Sequence, residues 1–470
     1  MADEDRSPDD EFQEMLRNLL GGGGGFDAAG LEQLRGLGID PAMMQQVLRQ
    51  MQGAFASGAD GIDWSAAKTQ ALHLANKDGL GITTGDRQDF DQAFALATLW
   101  LSEATTISDL AATPRAITRG QWVEATLPVW QELAEPVAGS IADALTTALS
   151  SQVPEEMQSM IAGAGRVMRT VGGSLFAAQL GAVVGQLSQE VVSGGDVGIP
   201  LMPDGDAVIV PQNFVDFGRD LDIDDDQLAL YLATRELAHA RLFRHARWLR
   251  LHVISQVTDF ARGIHVDTGA LEDLASRFDP SAPDELRTAL ESGALLPPRS
   301  EAQTAALGRL ENLLATVEGW VDVVTKDAAS RLPTAEKIAE AVRRRRAVGG
   351  PAERAMGSLV GLELRPRRLR EAAAMWRAVT DAVGVEARDA LWGYPDLMPT
   401  ADDIDDPSAL IARLQAQQSG EAPARDAMDD ALAALLAEAA TDGDAADGET
   451  DAGEQHDDGE EPGSEDPRPV

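Results

Sequence analysis

The chain has 470 residues, 44% of them hydrophobic, and a formal net charge of −39. That length suits one large domain or about two to three ordinary ones. The absence of cysteine excludes disulfides, cysteine-ligated zinc and a thiol nucleophile. The acidic balance argues against nucleic acid as the main ligand, and with aromatics at 4% the Ala- and Leu-rich remainder favours close-packed helices over sheet.

The N-terminus, Met-Ala-Asp-Glu-Asp-Arg, has no basic start and no apolar segment. It does not read as a signal peptide, and the expected location is cytoplasmic. Residues 1–25 hold an acidic stretch, a short amphipathic helix from Glu11 to Leu20 and the linker Gly21–Gly25. Asp40-Pro41 reads as N-cap and first turn of a helix through Gln52. Asp63 caps another to Asn76. Between Asp86 and Thr105, Phe90, Phe94, Ala97 and Leu101 recur at helical spacing. Gln121–Ser151 and Glu155–Val192 continue the pattern, so 26–154 is expected to be an N-terminal helical region. The uncharged run Val171–Leu187 carries Gly181-x-x-x-Gly185, which could pair membrane helices. Gln179, Gln186 and the short apolar length favour a buried core helix, and no membrane span is expected.

At Val197–Met202 the pattern changes. With Pro203-Asp204-Gly205-Asp206 and Ala207–Pro211 it predicts strand, turn, strand: one small β-hairpin. Asp224, Asp225 and Asp226 then supply an N-cap and favourable charge for a helix from about Gln227 to His245, extending as far as Phe260. Further helices are expected at Gly269–Phe278, Asp284–Leu295, Glu301–Leu332, Ala335–Ala347, Leu369–Val383 and Ala409–Gln415, with Ala427–Ala440 a further candidate. The run Arg343–Arg346, with Arg354, Arg365, Arg367, Arg368 and Arg370, reads as a solvated helix face open to the chain's own acidic tail; a nucleic-acid patch is the weaker reading. From Glu421 to Asp466 there are 17 acidic residues against one basic, Arg425. The segment 416–470 therefore reads as a disordered acidic tail, an arm for an unknown protein partner. The fold class is mostly α.

The chemistry concentrates between Tyr231 and His245. Arg235-Glu236-Leu237-Ala238-His239 is one residue away from H-E-x-x-H, in which two histidines one turn apart hold zinc and the glutamate is the general base. Arg235 and His239 share a helix face, but an always-charged guanidinium cannot ligate zinc. His245 is one candidate further ligand. It has the spacing of the third histidine in H-E-x-x-H-x-x-G-x-x-H, but the glycine position is Leu242, and on an unbroken helix His245 points about 120° away from His239. Glu318 is the other, followed at i+4 by Asp322 within an apolar helix, where a carboxylate pair needs a reason. Such strings also occur as ordinary helix-face residues.

Several separated blocks resemble a known family: Val197–Leu201, Arg235–Phe243 with Trp248-Leu-Arg250, Val317–Val324, Gly361–Leu364 with Arg367–Val379, Ala390-Leu-Trp392 and Leu397-Met-Pro399. They are similar to the zincin-like hydrolases, or zinc-dependent metalloproteases, of high-GC bacteria, some tied by genome context to coenzyme F420 biosynthesis. The resemblance implies a multi-helix zincin-like domain over 155–415. It implies Glu236 as general base, His239 and Glu318 as zinc ligands and Asp322 as the residue orienting a ligand. The Ala207–Pro211 strand would border the cleft and pair with substrate backbone. Two functions follow: a zinc-dependent hydrolase of peptides or proteins, or a non-catalytic zincin-like binding or scaffold protein. Arg235 separates them, because its guanidinium is expected to neutralise Glu318 or Glu236 as a metal otherwise would.

Overall fold

The computed structural model describes residues 62–151, 158–264, 299–360 and 366–420. The helices expected at 11–20, 41–52, 269–278, 284–295 and 427–440 and the acidic tail lie outside these residues. The helices are α1 (Ser65–Asn76), α2 (Thr84–Ala104), α3 (Arg119–Ser151), α4 (Gln158–Leu187), α5 (Pro211–Gly218), α6 (Asp225–His245), α7 (Trp248–Ala261), α8 (Glu301–Ala328), α9 (Ala335–Val348), α10 (Pro351–Val360) and α11 (Leu369–Ala390). The two short strands are β1 (Arg115–Ala116) and β2 (Val208–Ile209). The fold is mostly α, as the composition predicts.

Local sequence explains many of the helix ends. Asp63 accepts from the Ser65 amide at the start of α1. Thr83 with Asp86, and Ser300 with Gln303, form capping boxes for α2 and α8. Acidic Asp225 and Asp226 in the first turn of α6, and Arg244 and His245 in its last, complement the helix dipole. The chain leaves helical geometry at Ala246 (φ −94°, ψ 64°), so the expected run toward Phe260 divides into α6 and α7.

The described residues through Pro407 group into one compact unit; Ser408–Ser419 forms a further helix in a second. In the first unit, α1 and α3 pack on α4, α2 packs on α6 and α8, and α8 packs on α6, α7 and α11. Helix α6 is the centre of this arrangement: every residue from Leu228 to Phe243 is buried. A second buried node lies at Asp389, which accepts from Thr105 Oγ1 (2.6 Å), the Thr106 amide (2.8 Å), Trp320 Nε1 (2.9 Å) and Arg388 Nε (2.7 Å). It ties the end of α2 to α8 and α11, beside the stacked pair Trp376 and Trp392.

The expected hairpin is corrected. Val197–Met202 is not a strand, and Pro203–Gly205 is a 3-10 turn. Gly198 has φ +85° and Pro200 lacks an N–H, so this apolar run cannot extend a ladder. Strand β2 instead pairs in parallel with β1, Arg115 opposite Val208 and Ala116 opposite Ile209. On its other side an antiparallel bridge joins Ile209 to Ser193. Val208 and Ile209 are buried and flanked on both sides, so the stretch is not a free edge for substrate. The chain then turns into α5 at Pro211, which suits the first helical turn.

Gly181 shows why the uncharged run is a core helix. A Cβ there would fall 2.2 Å from the Ala67 carbonyl oxygen, because α1 crosses α4 at that point. Among the described residues no helix is long and apolar enough to cross a membrane. Gly181→Leu is expected to lower stability by at least about 3 kcal/mol, since backbone must move. Gly172→Ala, on the same helix with open space around it, should leave the denaturant midpoint unchanged or slightly raised.

Candidate functional site

Helix α6 carries Arg235, Glu236 and His239 into the interior, with burial so complete that each needs a partner. Arg235 Nη2 donates to Glu318 Oε2 in a buried ion pair. His239 Nε2 lies 3.2 Å from Glu318 Oε1. A carboxylate only accepts, so Nε2 carries the proton and Nδ1 is left as an acceptor. That Nδ1 is buried and has no hydrogen-bond partner. The structure thus brings Arg235, His239 and Glu318 together.

A second cation, Arg346, completes the surroundings of Glu318. Its Nη2 is 3.6 Å from Glu318 Oε1 and donates to the Val197 carbonyl at 2.8 Å, while Nη1 donates to Glu353 at 2.6 Å. This corrects the reading of Arg343–Arg346 as a solvated face. Arg346 is 4% exposed, Arg345 reaches Asp196 and the Glu190 carbonyl, and Arg343 grips Asp322; Arg344 alone of the four points to solvent. Burial pushes the Glu318 carboxyl up, but Arg235, Arg346 and His239 outweigh it and hold it well below the usual range. Burial lowers His239, Glu318 restores part of that, and the imidazole stays neutral. Burial pulls Arg235 down, but Glu318, joined by Tyr231, Asp322 and Asp196, outweighs it and pushes the guanidinium up.

Glu236 points elsewhere. Its Oε2 accepts from the Gly195 amide (2.8 Å) and its Oε1 from the Val208 amide (2.9 Å). The carboxylate therefore fastens the 192–198 turn to β2. Burial pushes it up to about 7, against hydrogen bonds from Ser193, Val208 and Gly195.

The turn itself seals the motif. Val191 through Ile199 are all buried, unusual for a loop. A Cβ at Gly195 would fall 2.5 Å from His239 Cβ, and one at Gly198 2.7 Å from Glu318 Oε1. Gly198 also needs its positive φ to make the turn. Asp196, between them, accepts from the Val192 amide and Arg345, both at 2.8 Å. The space beside Glu236, bounded by Gly195, Met202 and Phe243, is about 10 Å³, the scale of a single water.

Two expected residues sit outside this cluster. His245 is exposed at the last position of α6. The helix is unbroken from His239 onward, so no turn swings it back. Asp322 is buried one turn beyond Glu318, but it accepts from Arg343 Nε and Nη2, both at 3.1 Å, and orients an arginine, not a histidine. Arg346, Asp196 and the glycines of 194–198 were not foreseen as part of the site. The pairing of Glu318 with arginines 83 residues before it and 28 after it has no local signature, apart from the carboxylate's burial within an apolar helix.

Zinc does not fit these residues. His239 Nε2 is committed to Glu318, Glu236 faces backbone amides, and two guanidinium groups stand at the carboxylate a metal would need. Among the described residues no group of three or more His, Asp or Glu side chains is placed to hold a metal ion.

The sequence model of a family described as zincin-like metallopeptidase matches residues 62–411. A solved structure, that of "a putative hydrolase with a novel fold" from Chloroflexus aurantiacus, matches with a TM-score of 0.50 at 20% identity, over 75% of this chain and 99% of that one. At that identity the likeness is one of fold. No curated protein matches the chain.

Glu236 sets a pH dependence. Its folded value, raised from 4.5 to about 7, makes its contribution complete below the unfolded value and lost as pH rises through 7. The shift corresponds to about 3 kcal/mol. Denaturant midpoints at pH 5 and pH 8 should show the wild type losing stability over this interval. The Glu236→Gln variant should lose about 3 kcal/mol less. Arg235→Leu, which leaves Glu318 with its more distant cation, should cost about 3–5 kcal/mol at neutral pH.

Proposed function

We propose a function from one premise: the chain belongs to the zincin-like metallopeptidase family. In this chain, on our reading, the peptidase centre has been converted into a metal-independent structural core. The protein acts as a zincin-like binding or scaffold protein. The observation that carries this is the placement of Arg235 on Glu318. A permanent cation satisfies the carboxylate, and its position within the H-E-x-x-H-like helix is that of the first histidine ligand. The sealed turn over Glu236 and His239 supports the same reading, since a peptide cannot reach either side chain in this conformation.

The second reading, a metal-dependent hydrolase of peptides or proteins, draws on the family itself and on Glu236. A carboxyl group titrating near 7 suits a general base. It requires the 192–198 turn to leave Glu236, which would free the Gly195 and Val208 amides.

Metal analysis and proteolysis assays separate the two. Purified full-length protein is expected to carry far less than one zinc per chain, and Arg235→His is expected to raise that content. One tightly bound zinc per wild-type chain would sink the scaffold reading. So would peptidase activity that collapses in Glu236→Gln.

A further inference from the structure

One turn along α8 from Glu318, a cleft of about 540 Å³ opens between α8, α9 and α11. Helix α11 forms one wall with Arg370, Ala373, Ala374 and Arg377. These stand at i, i+3, i+4 and i+7, a single helix face. The two alanines leave a hollow between arginines whose backbones are about 10 Å apart along the axis. Helix α9 adds Arg343 and α8 adds Lys326, so four cations line the cleft with the carboxylates Asp322 and Glu340, while Glu336 and Asp327 meet two of the cations at its edge.

The cations differ in how firmly they are held. Arg343 is fixed by its paired bonds to buried Asp322. Arg370 is 72% exposed and offers only Nη2 to Glu340, at 3.3 and 3.5 Å. Lys326 is half exposed and meets Glu336 at 3.0 Å; Arg377, 36% exposed, is held by both Nη atoms to Asp327, at 2.7 and 2.9 Å. The exposed single-nitrogen pairs of Arg370 and Lys326 contribute little. They hold the donors at the rim, and an incoming anion exchanges them for bidentate, charge-assisted bonds.

We propose that this cleft binds a small organic anion bearing two or more carboxylate or phosphate groups. Its volume lies in the range of small-molecule sites. Alanines at the floor and arginines at both ends match a compact body with separated charges. A chain of net charge −39 repels anions in general, so binding must come from this local arrangement. The site is distinct from the Glu318 cluster and does not depend on whether that cluster ever turns over substrate.

Titration calorimetry of the full-length chain at low ionic strength, with citrate and with inorganic pyrophosphate as probes, tests the idea. At least one probe is expected to bind with a Kd of about 1 mM or tighter. The tighter of the two identifies carboxylate or phosphate chemistry. Two variants locate the site: the double substitution Arg370→Gln with Arg377→Gln, and Ala374→Leu, which keeps every charge but fills the hollow. Each should weaken binding at least about tenfold, equivalent to a loss of 1.4 kcal/mol, with denaturant midpoints near wild type at these solvent-facing positions. Absence of wild-type binding to either probe at about 10 mM, far above that Kd, would overturn the proposal. Unchanged affinity in either variant would overturn it as well.

Discussion

A single carboxylate, that of Glu318, organises the centre of this protein. It is fully buried, and an isolated charge there is prohibitively costly. Arg235 from α6, Arg346 from α9 and His239 one turn from Arg235 converge on it. Through Arg346 the same cluster reaches the Val197 carbonyl and so the buried turn over α6. Removing any member leaves charge or donors stranded in a dry interior, so three helices and one loop are mutually constrained. Such an arrangement specifies geometry more than it adds net stability, because desolvation offsets much of the attraction.

The two glutamates of the motif region show how environment divides like groups. Glu318 is surrounded by fixed positive charge and stays ionised. Glu236, on the neighbouring helix, meets backbone amides and a hydroxyl, which compensate burial only in part. Their roles separate accordingly: Glu318 anchors helices, and Glu236 closes a loop onto a strand. The family pattern suggests a water-activating task for the second. In this structure both of its oxygens are already engaged.

Much of the helical architecture is legible in sequence, because local physics dictates it. Phe90, Phe94, Ala97 and Leu101 mark the buried stripe of α2, and Asp63 at the start of α1 is read correctly from its position alone. The hairpin is misread for a definite reason. Two apolar runs flanking Pro-Asp-Gly-Asp have the local form of strand and turn, but the partner of β2 lies some 90 residues upstream, at Arg115–Ala116. Arg346 is missed likewise: four successive arginines look solvated until tertiary packing supplies carboxylates and carbonyls for three of them. Arg235, His239 and Glu318 were legible because they break an expectation. They put charge inside helices that otherwise read as core.

Arg235 also changes how this centre comes into being. A protein that borrows its positive charge from solution exists in loaded and unloaded forms, and their ratio follows supply and competing chelators. Here the charge is translated with the chain and remains ionised at any physiological pH. Every copy leaves the ribosome already carrying its counter-ion. On the proposed reading, assembly of the core is a matter of folding alone, indifferent to cellular metal homeostasis.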